Sequence, residues 1–218
     1  RHPGVKGAPT FALIVKTTST PDTFPRLLLD HAAQRPGAPA VREKDLGIWQ
    51  TWTWQAAAQE VREIACGLAS LGFGPQHNLA IVGANRPHLY FAVVAAQSLR
   101  GVPVPLYQDA VAAEMVFMLE DAGIEFVIAE DQEQVDKLLE CREAHPALRH
   151  IIYDDPRGLR SYDQPGLMSY AALRELGRAF ETQHPGFFTQ TVAAGQPGDV
   201  AGILYTSGTT RRPKGLSQ

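Results

Sequence analysis

Val200-Ala201-Gly202-Ile203-Leu204-Tyr205-Thr206-Ser207-Gly208-Thr209-Thr210-Arg211-Arg212-Pro213-Lys214-Gly215 joins an apolar run to a loop of hydroxyls, glycines and one lysine. The run Val200–Leu204 reads as a buried strand. The loop that follows has the composition a polyphosphate needs. Small residues let backbone N–H groups approach phosphate oxygens, hydroxyls add donors, and a lysine supplies a positive point charge. Glycine permits the positive φ that a nest of N–H groups requires. Read from residues alone, the other interpretation is a Ser/Thr/Gly-rich surface turn.

Two other chemistries do not fit the spacing. A Walker loop places Gly-Lys directly before Ser or Thr at the head of a helix, whereas here Lys214 follows Pro213 and precedes Gly215. A nucleophile elbow needs Gly-x-Ser-x-Gly, and the positions two away from Ser207 are Tyr205 and Thr209. Ser207 therefore reads as a hydrogen-bond donor rather than a nucleophile.

Outward from this loop, strands and helices alternate. Phe24–Gln34 has helical spacing, with Thr23 to cap it and Pro25 in its first turn. Ala38–Lys44 and Ile48–Trp52 read as a hairpin around Asp45-Leu46-Gly47. Thr53 caps a long helix through Leu71, stopped by Gly72. Gly72-Phe73-Gly74-Pro75 superficially matches a dinucleotide loop, but it follows a helix and lacks the third glycine, so it is a turn. Asn78–Val82 is a strand, and Asn85-Arg86-Pro87 opens a buried helix. Val102–Leu106 is a strand whose two prolines argue for an edge or irregular position. A helix over 110–122 capped by Asp109, a strand at Phe126–Ala129, a helix at Gln134–Glu143 and a strand at His150–Tyr153 follow. Residues 154–165 form a polar loop, Tyr170–Thr182 a last helix and Pro185–Gly198 a linker. Residues 1–20 look loose, with a short strand available at Phe11–Val15. The predicted class is α/β: a mostly parallel sheet with helices on both faces, binding ligands beyond the carboxyl ends of its strands.

With 218 residues, 44% hydrophobic and 20% charged, composition is that of an ordinary globular chain. A net charge of -3 gives no sign of a nucleic-acid binder. No apolar run has the length of a membrane span, and Phe11–Val15 is too short for a signal-peptide core, so cytoplasm is the default. Cys66 and Cys141 lie far apart and read as core or helix-face thiols. The seven histidines are scattered, so no metal site is expected from protein ligands alone.

The loop resembles the phosphate-binding signature of the adenylate-forming (AMP-binding) superfamily, T-S-G-T-T-G-x-P-K-G. Thr206–Thr210, Pro213, Lys214 and Gly215 match, and Arg211 stands where the family has glycine. The strings Arg42–Trp54 and Ala129–Leu139 are similar to bacterial long-chain fatty acid–CoA synthetases in particular. This resemblance implies a two-step reaction of ATP, fatty acid and CoA through an acyl-adenylate. It also implies that Thr206, Ser207, Gly208, Thr209, Thr210 and Lys214 hold the β- and γ-phosphates, with Mg²⁺ sharing the charge. Residues 21–218 would then be part of the family's N-terminal domain. The C-terminal domain and the rest of the catalytic machinery would lie downstream, so no ligase activity is expected of this chain alone and no catalytic acid, base or nucleophile is assigned. A lipid substrate allows peripheral contact with a membrane, although no basic amphipathic helix argues for it. If the family glycine has positive φ, Arg211 costs on the order of 1 kcal/mol or more. That mismatch and the stop at Gln218 keep a second reading open, a non-catalytic remnant or nucleotide-binding module. A third is an adenylate-forming enzyme acting on an aromatic or amino acid.

Overall fold

The structure is a computed structural model that describes residues 21–206 and 214–217. The loose segment 1–20, with the strand expected at Phe11–Val15, lies outside the described residues. The first element is helix α1 (Phe24–Gln34), with Thr23 accepting from the Arg26 N–H and Pro25 in the first turn. Strands β1 (Pro39–Asp45) and β2 (Ile48–Thr53) pair antiparallel. Leu46 and Gly47 between them both have positive φ, 46° and 85°, the geometry of a two-residue hairpin turn whose twist matches its strands. Helix α2 (Trp54–Ser70) starts where the Thr53 hydroxyl accepts from the Ala56 N–H at 3.2 Å.

Next come β3 (Asn78–Val82), α3 (Pro87–Ser98), β4 (Val102–Leu106), α4 (Ala112–Asp121), β5 (Phe126–Ala129), α5 (Gln132–Ala144), β6 (His150–Tyr153), β7 (Leu167–Ser169) and α6 (Tyr170–Gln183). The strands β3 to β7 form one parallel sheet in the order β4-β3-β5-β6-β7. β4, with Pro103 and Pro105, is at the edge, where a missing N–H costs no ladder bond. Helix α7 (Phe187–Ala194) then leads to an antiparallel pair, β8 (Ile203–Thr206) and β9 (Lys214–Ser217).

Alternate strand residues serve opposite faces, as a strand's period of two requires. Leu79, Ile81, Phe126, Ile128 and Ile152 join α2, α3 and α6 in one core. Ala80, Val82, Val127, Ala129 and Ile151 join α4 and α5 in the other. The expected α/β class, a mostly parallel sheet covered on both faces, is what the chain adopts. No described helix is long and apolar enough to cross a membrane.

Some boundaries differ from expectation. Asp109 does not cap α4; the N-cap is Val111, with no side-chain bond. Helix α5 begins at Gln132 because the Asp131 carboxylate accepts from the Gln134 N–H. β7 was not expected, since its three residues owe their extension to pairing with β6. The stretch expected as a linker contains α7, whose Phe188 and Val192 are buried one turn apart in the first core.

Candidate functional site

β3 and β4 end side by side at Val82 and Leu106. Beyond their carboxyl ends lies a cleft of about 650 Å³. Gly83–Asn85 form one rim, Tyr107–Asp109 another, and Leu204 and Tyr205 of β8 close the third side. The strand order is that of a doubly wound sheet, in which ligands bind outside the carboxyl ends at the switch point. That point is between β3 and β5, because the chain leaves β3 for β4 on one side and returns to β5 on the other. Here Glu130, directly after β5, fills it. Its Oε2 accepts from the Ala84 N–H at 2.6 Å and its Oε1 from Arg86 Nε at 2.5 Å. Gly83 lies under Glu130, with φ +155°, and a Cβ there would meet the Glu130 Cβ at 2.5 Å and Leu89 Cδ1 at 2.8 Å. The open volume is therefore displaced onto the β3–β4 side. Burial opposes the charge on Arg86, but the Glu130 hydrogen bond and carboxylate outweigh it and raise its pKa.

The Thr206–Lys214 motif joins this cleft through β8. Gln97 Nε2 donates to the Ala201 carbonyl at 2.7 Å, fixing the approach to β8 against α3. Ile203 and Tyr205 pack on the second core, and the Tyr205 hydroxyl donates to Asp121 Oδ2 at 2.6 Å. Burial first, and then Asp121, push the Tyr205 phenol upward. Upstream, Arg100 grips Asp199 through both oxygens, at 2.9 Å each. That bond, with the Gln196 N–H, holds the Asp199 carboxyl down at about 2. In the β8–β9 pair, Thr206 is the cross-strand partner of Lys214. The two ends of the motif are thus brought together at the connected end of a hairpin. Ser207, Gly208, Thr209, Thr210 and Arg211 lie outside the described residues.

A second polar cluster on the same side of the sheet escaped the sequence reading. His88, on α3, lies between two carboxylates, with Nδ1 at 2.6 Å from Asp154 Oδ1 and Nε2 at 3.1 Å from Glu60 Oε1. Glu60 also accepts from Trp52 Nε1 at 3.2 Å and from the Tyr170 hydroxyl at 3.1 Å. The Tyr170 ring stacks on His88, centroids 4.6 Å apart. Burial works against an imidazolium, but Asp154 and Glu60 prevail and raise the His88 pKa. Among the described residues no serine, threonine or cysteine side chain bonds His88, and His88, Glu60, Asp154 and Tyr170 each have a partner within the cluster. The cluster ties β2, α2, α3 and α6 together. Its legible signal was Glu60 itself, a buried carboxylate on the same helical stripe as Ala57 and Ile64.

A family model described as AMP-binding enzyme matches residues 28–217. The chain belongs to this family. Similar curated relatives include the long-chain-fatty-acid–CoA ligase FadD15 of Mycobacterium bovis. It is 28% identical over 199 residues, covering 91% of this chain and 31% of that protein. The chain thus spans about a third of the length of such relatives. The uncharacterized protein Rv1549 of Mycobacterium tuberculosis is 32% identical over 139 residues, covering 64% of this chain and 76% of that protein. Among solved structures, the anthranilate CoA ligase AuaEII in complex with anthranoyl-AMP superposes with a TM-score of 0.64. It is 20% identical and the match covers 77% of this chain and 30% of that one. That likeness is one of fold.

Proposed function

We propose that the chain carries the triphosphate-binding part of an ATP-dependent acid–thiol ligase that activates a long-chain fatty acid and passes it to CoA. The supporting observation is the Thr206–Lys214 register, which sets the two ends of a Thr/Ser/Gly loop together beside a cleft at the carboxyl ends of β3 and β4. On this reading Thr206, Ser207, Gly208, Thr209, Thr210 and Lys214 hold the β- and γ-phosphates. Backbone and hydroxyl donors surround the oxygens and the lysine neutralises charge. In the reaction, a carboxylate oxygen bonds to the α-phosphorus as the bond to pyrophosphate breaks. The CoA sulfur then bonds to the acyl carbon as AMP leaves. This chain's residues act in the first step, by position and charge. Mg²⁺ would arrive with the nucleotide and neutralise phosphate oxygens; among the described residues no group of three His, Cys, Asp or Glu side chains could hold a metal. The acid is assigned from the fatty-acid ligase relatives, and a cytoplasmic role in fatty acid metabolism belongs to the same reading.

A second reading, a nucleotide-binding module without chemistry, is favoured by Arg211 in the place of the family glycine. Two measurements separate them. Mg·ATP is expected to bind the chain, and Lys214→Ala to weaken binding by about tenfold, the loss of one charge-assisted contact. Unchanged affinity would remove the loop from the site. Acid-dependent exchange between ATP and pyrophosphate is then assayed with palmitate, an aromatic acid and an amino acid, in a longer protein that contains this chain. Exchange with palmitate supports the ligase proposed. Exchange with another acid moves the substrate class, and binding without exchange favours the module.

A further inference from the structure

The β1–β2 hairpin reaches past the body of the protein. Val41 and Glu43 of β1 and Trp52 of β2 lie on its inner face, where Trp52 meets Phe91 at 6.1 Å between ring centroids. Beyond them the hairpin is bare on both faces. Leu46, Ile48 and Trp49 are 90%, 66% and 64% exposed. Among the described residues, these three large apolar side chains at the tip take no part in either core. Leu46 adds to the anomaly, because a leucine holds a left-handed turn position that asparagine or glycine fills at lower cost.

The charges near the tip are sorted by face. Register pairs Lys44 with Trp49 and Arg42 with Thr51, so all four side chains stand on the outer face. Among the described residues neither Arg42 nor Lys44 forms an ion pair. The acidic residues alternate with them, Glu43 between the two and Asp45 nearer the turn, and stand on the opposite face. Glu43 faces Arg86 at 3.7 Å, and Asp45 lies in the field of Arg157. The outer face thus carries Trp49 with Lys44 directly across from it and Arg42 about 7 Å further from the turn, at a strand's rise per residue, while Ile48 pairs with Asp45 on the opposite face and Leu46 holds the turn itself.

We infer that this hairpin tip is a docking surface for an anionic lipid bilayer. The order of chemistry along the hairpin matches the order across a membrane interface. Tryptophan and aliphatic side chains enter the boundary between headgroups and acyl chains, and Lys44 and Arg42 meet the anionic headgroups. A protein partner fits less well, because a specific protein interface takes roughly 20–30 residues from each side and this tip offers three apolar side chains. The inference does not depend on the acid that the enzyme activates. The Glu43–Arg86 contact nevertheless roots the hairpin at the rim of the cleft, one residue from Asn85.

The test is co-sedimentation of the chain with phosphatidylcholine vesicles, with and without about 30% phosphatidylserine. Quenching of tryptophan fluorescence by brominated lipid is measured alongside. Binding to the anionic vesicles is expected, with quenching that Trp49→Ser removes. Leu46→Asn should weaken binding by about fivefold while easing the turn, so loss of fold cannot mimic the effect. Arg42→Glu with Lys44→Glu should weaken it by about tenfold and erase the preference for phosphatidylserine. Failure to bind either vesicle overturns the inference, as does binding that these variants leave unchanged. If the chain self-associates in sedimentation and Leu46→Asn abolishes it, the tip is a contact between copies and the inference also fails.

Discussion

The two ends of the parallel sheet are built from opposite chemistries. At the amino end Phe126, the first residue of β5, is enclosed by aromatic rings. Phe73 meets it edge-on at 5.2 Å, His77 at 5.5 Å, and His150 stacks on it at 4.9 Å. At the carboxyl end, the residues directly after β5 and β6 are Glu130 and Asp154, which hold Arg86 and His88. One backbone arrangement explains both. In a parallel sheet with crossover helices, helix N-termini gather at the carboxyl ends, and their unpaired N–H groups favour negative charge. Glu130 and Asp131 stand at such a place, where β5 hands over to α5. The amino end lacks that field and is free to close with apolar surface. The difference teaches where to seek each kind of effect: stability at one end, ligand affinity at the other.

Phe126→Ala should produce the largest loss of stability. The ring is fully buried, and its removal is expected to cost about 4 kcal/mol in urea unfolding. Well below the unfolding transition, Mg·ATP affinity should not change. Glu130→Ala should reverse the pattern. Two donors lose their carboxylate, the Ala84 N–H and Arg86. A stability cost of about 2 kcal/mol follows from one charged network, while the rim at Gly83–Asn85 loses its anchor. Mg·ATP binding should fall by about tenfold. If Glu130→Ala leaves that affinity intact, the carboxyl end does not govern the ligand site.

The two ends were unequally legible in the sequence. Local signals located helices and strands alike: Thr23 and Thr53 as helix caps, the prolines of β4, and the turn at Asp45-Leu46-Gly47. The loop proposed to hold phosphates stood out because its residues are contiguous in the chain. The clusters at the sheet's ends are not contiguous. Glu60, His88, Asp154 and Tyr170 meet only after four elements pack, and no short window contains two of them. The same holds for Glu130, whose partner Arg86 is 44 residues away. α7 was hidden for another reason, since eight residues between Gly186 and Gly195 carry too little periodicity to outweigh the flanking breakers.

The smallest effects should come from the two histidines, and they should have opposite signs. His88, at the carboxyl end, has its pKa raised by Asp154 and Glu60 against the pull of burial. The stability it contributes is fully present below its unfolded value near pH 6.5 and is lost as pH rises through the raised folded value. His150, at the amino end, has its pKa lowered by burial and then by Arg149. Its contribution is present above about pH 6.5 and is lost as pH falls through the lowered folded value, because the folded state resists the proton. Urea unfolding of the wild type, His88→Gln and His150→Gln at about pH 5.5, 7.5 and 9 reads both. The gap between His88→Gln and the wild type should be widest at the acidic end and narrow toward pH 9. For His150→Gln the substitution should be least harmful at the acidic end, where it removes an imidazole that protonation turns against the fold. Parallel pH profiles for the two variants would mean that neighbouring charge does not distinguish the two ends of the sheet, and that aromatic packing alone sets both imidazoles.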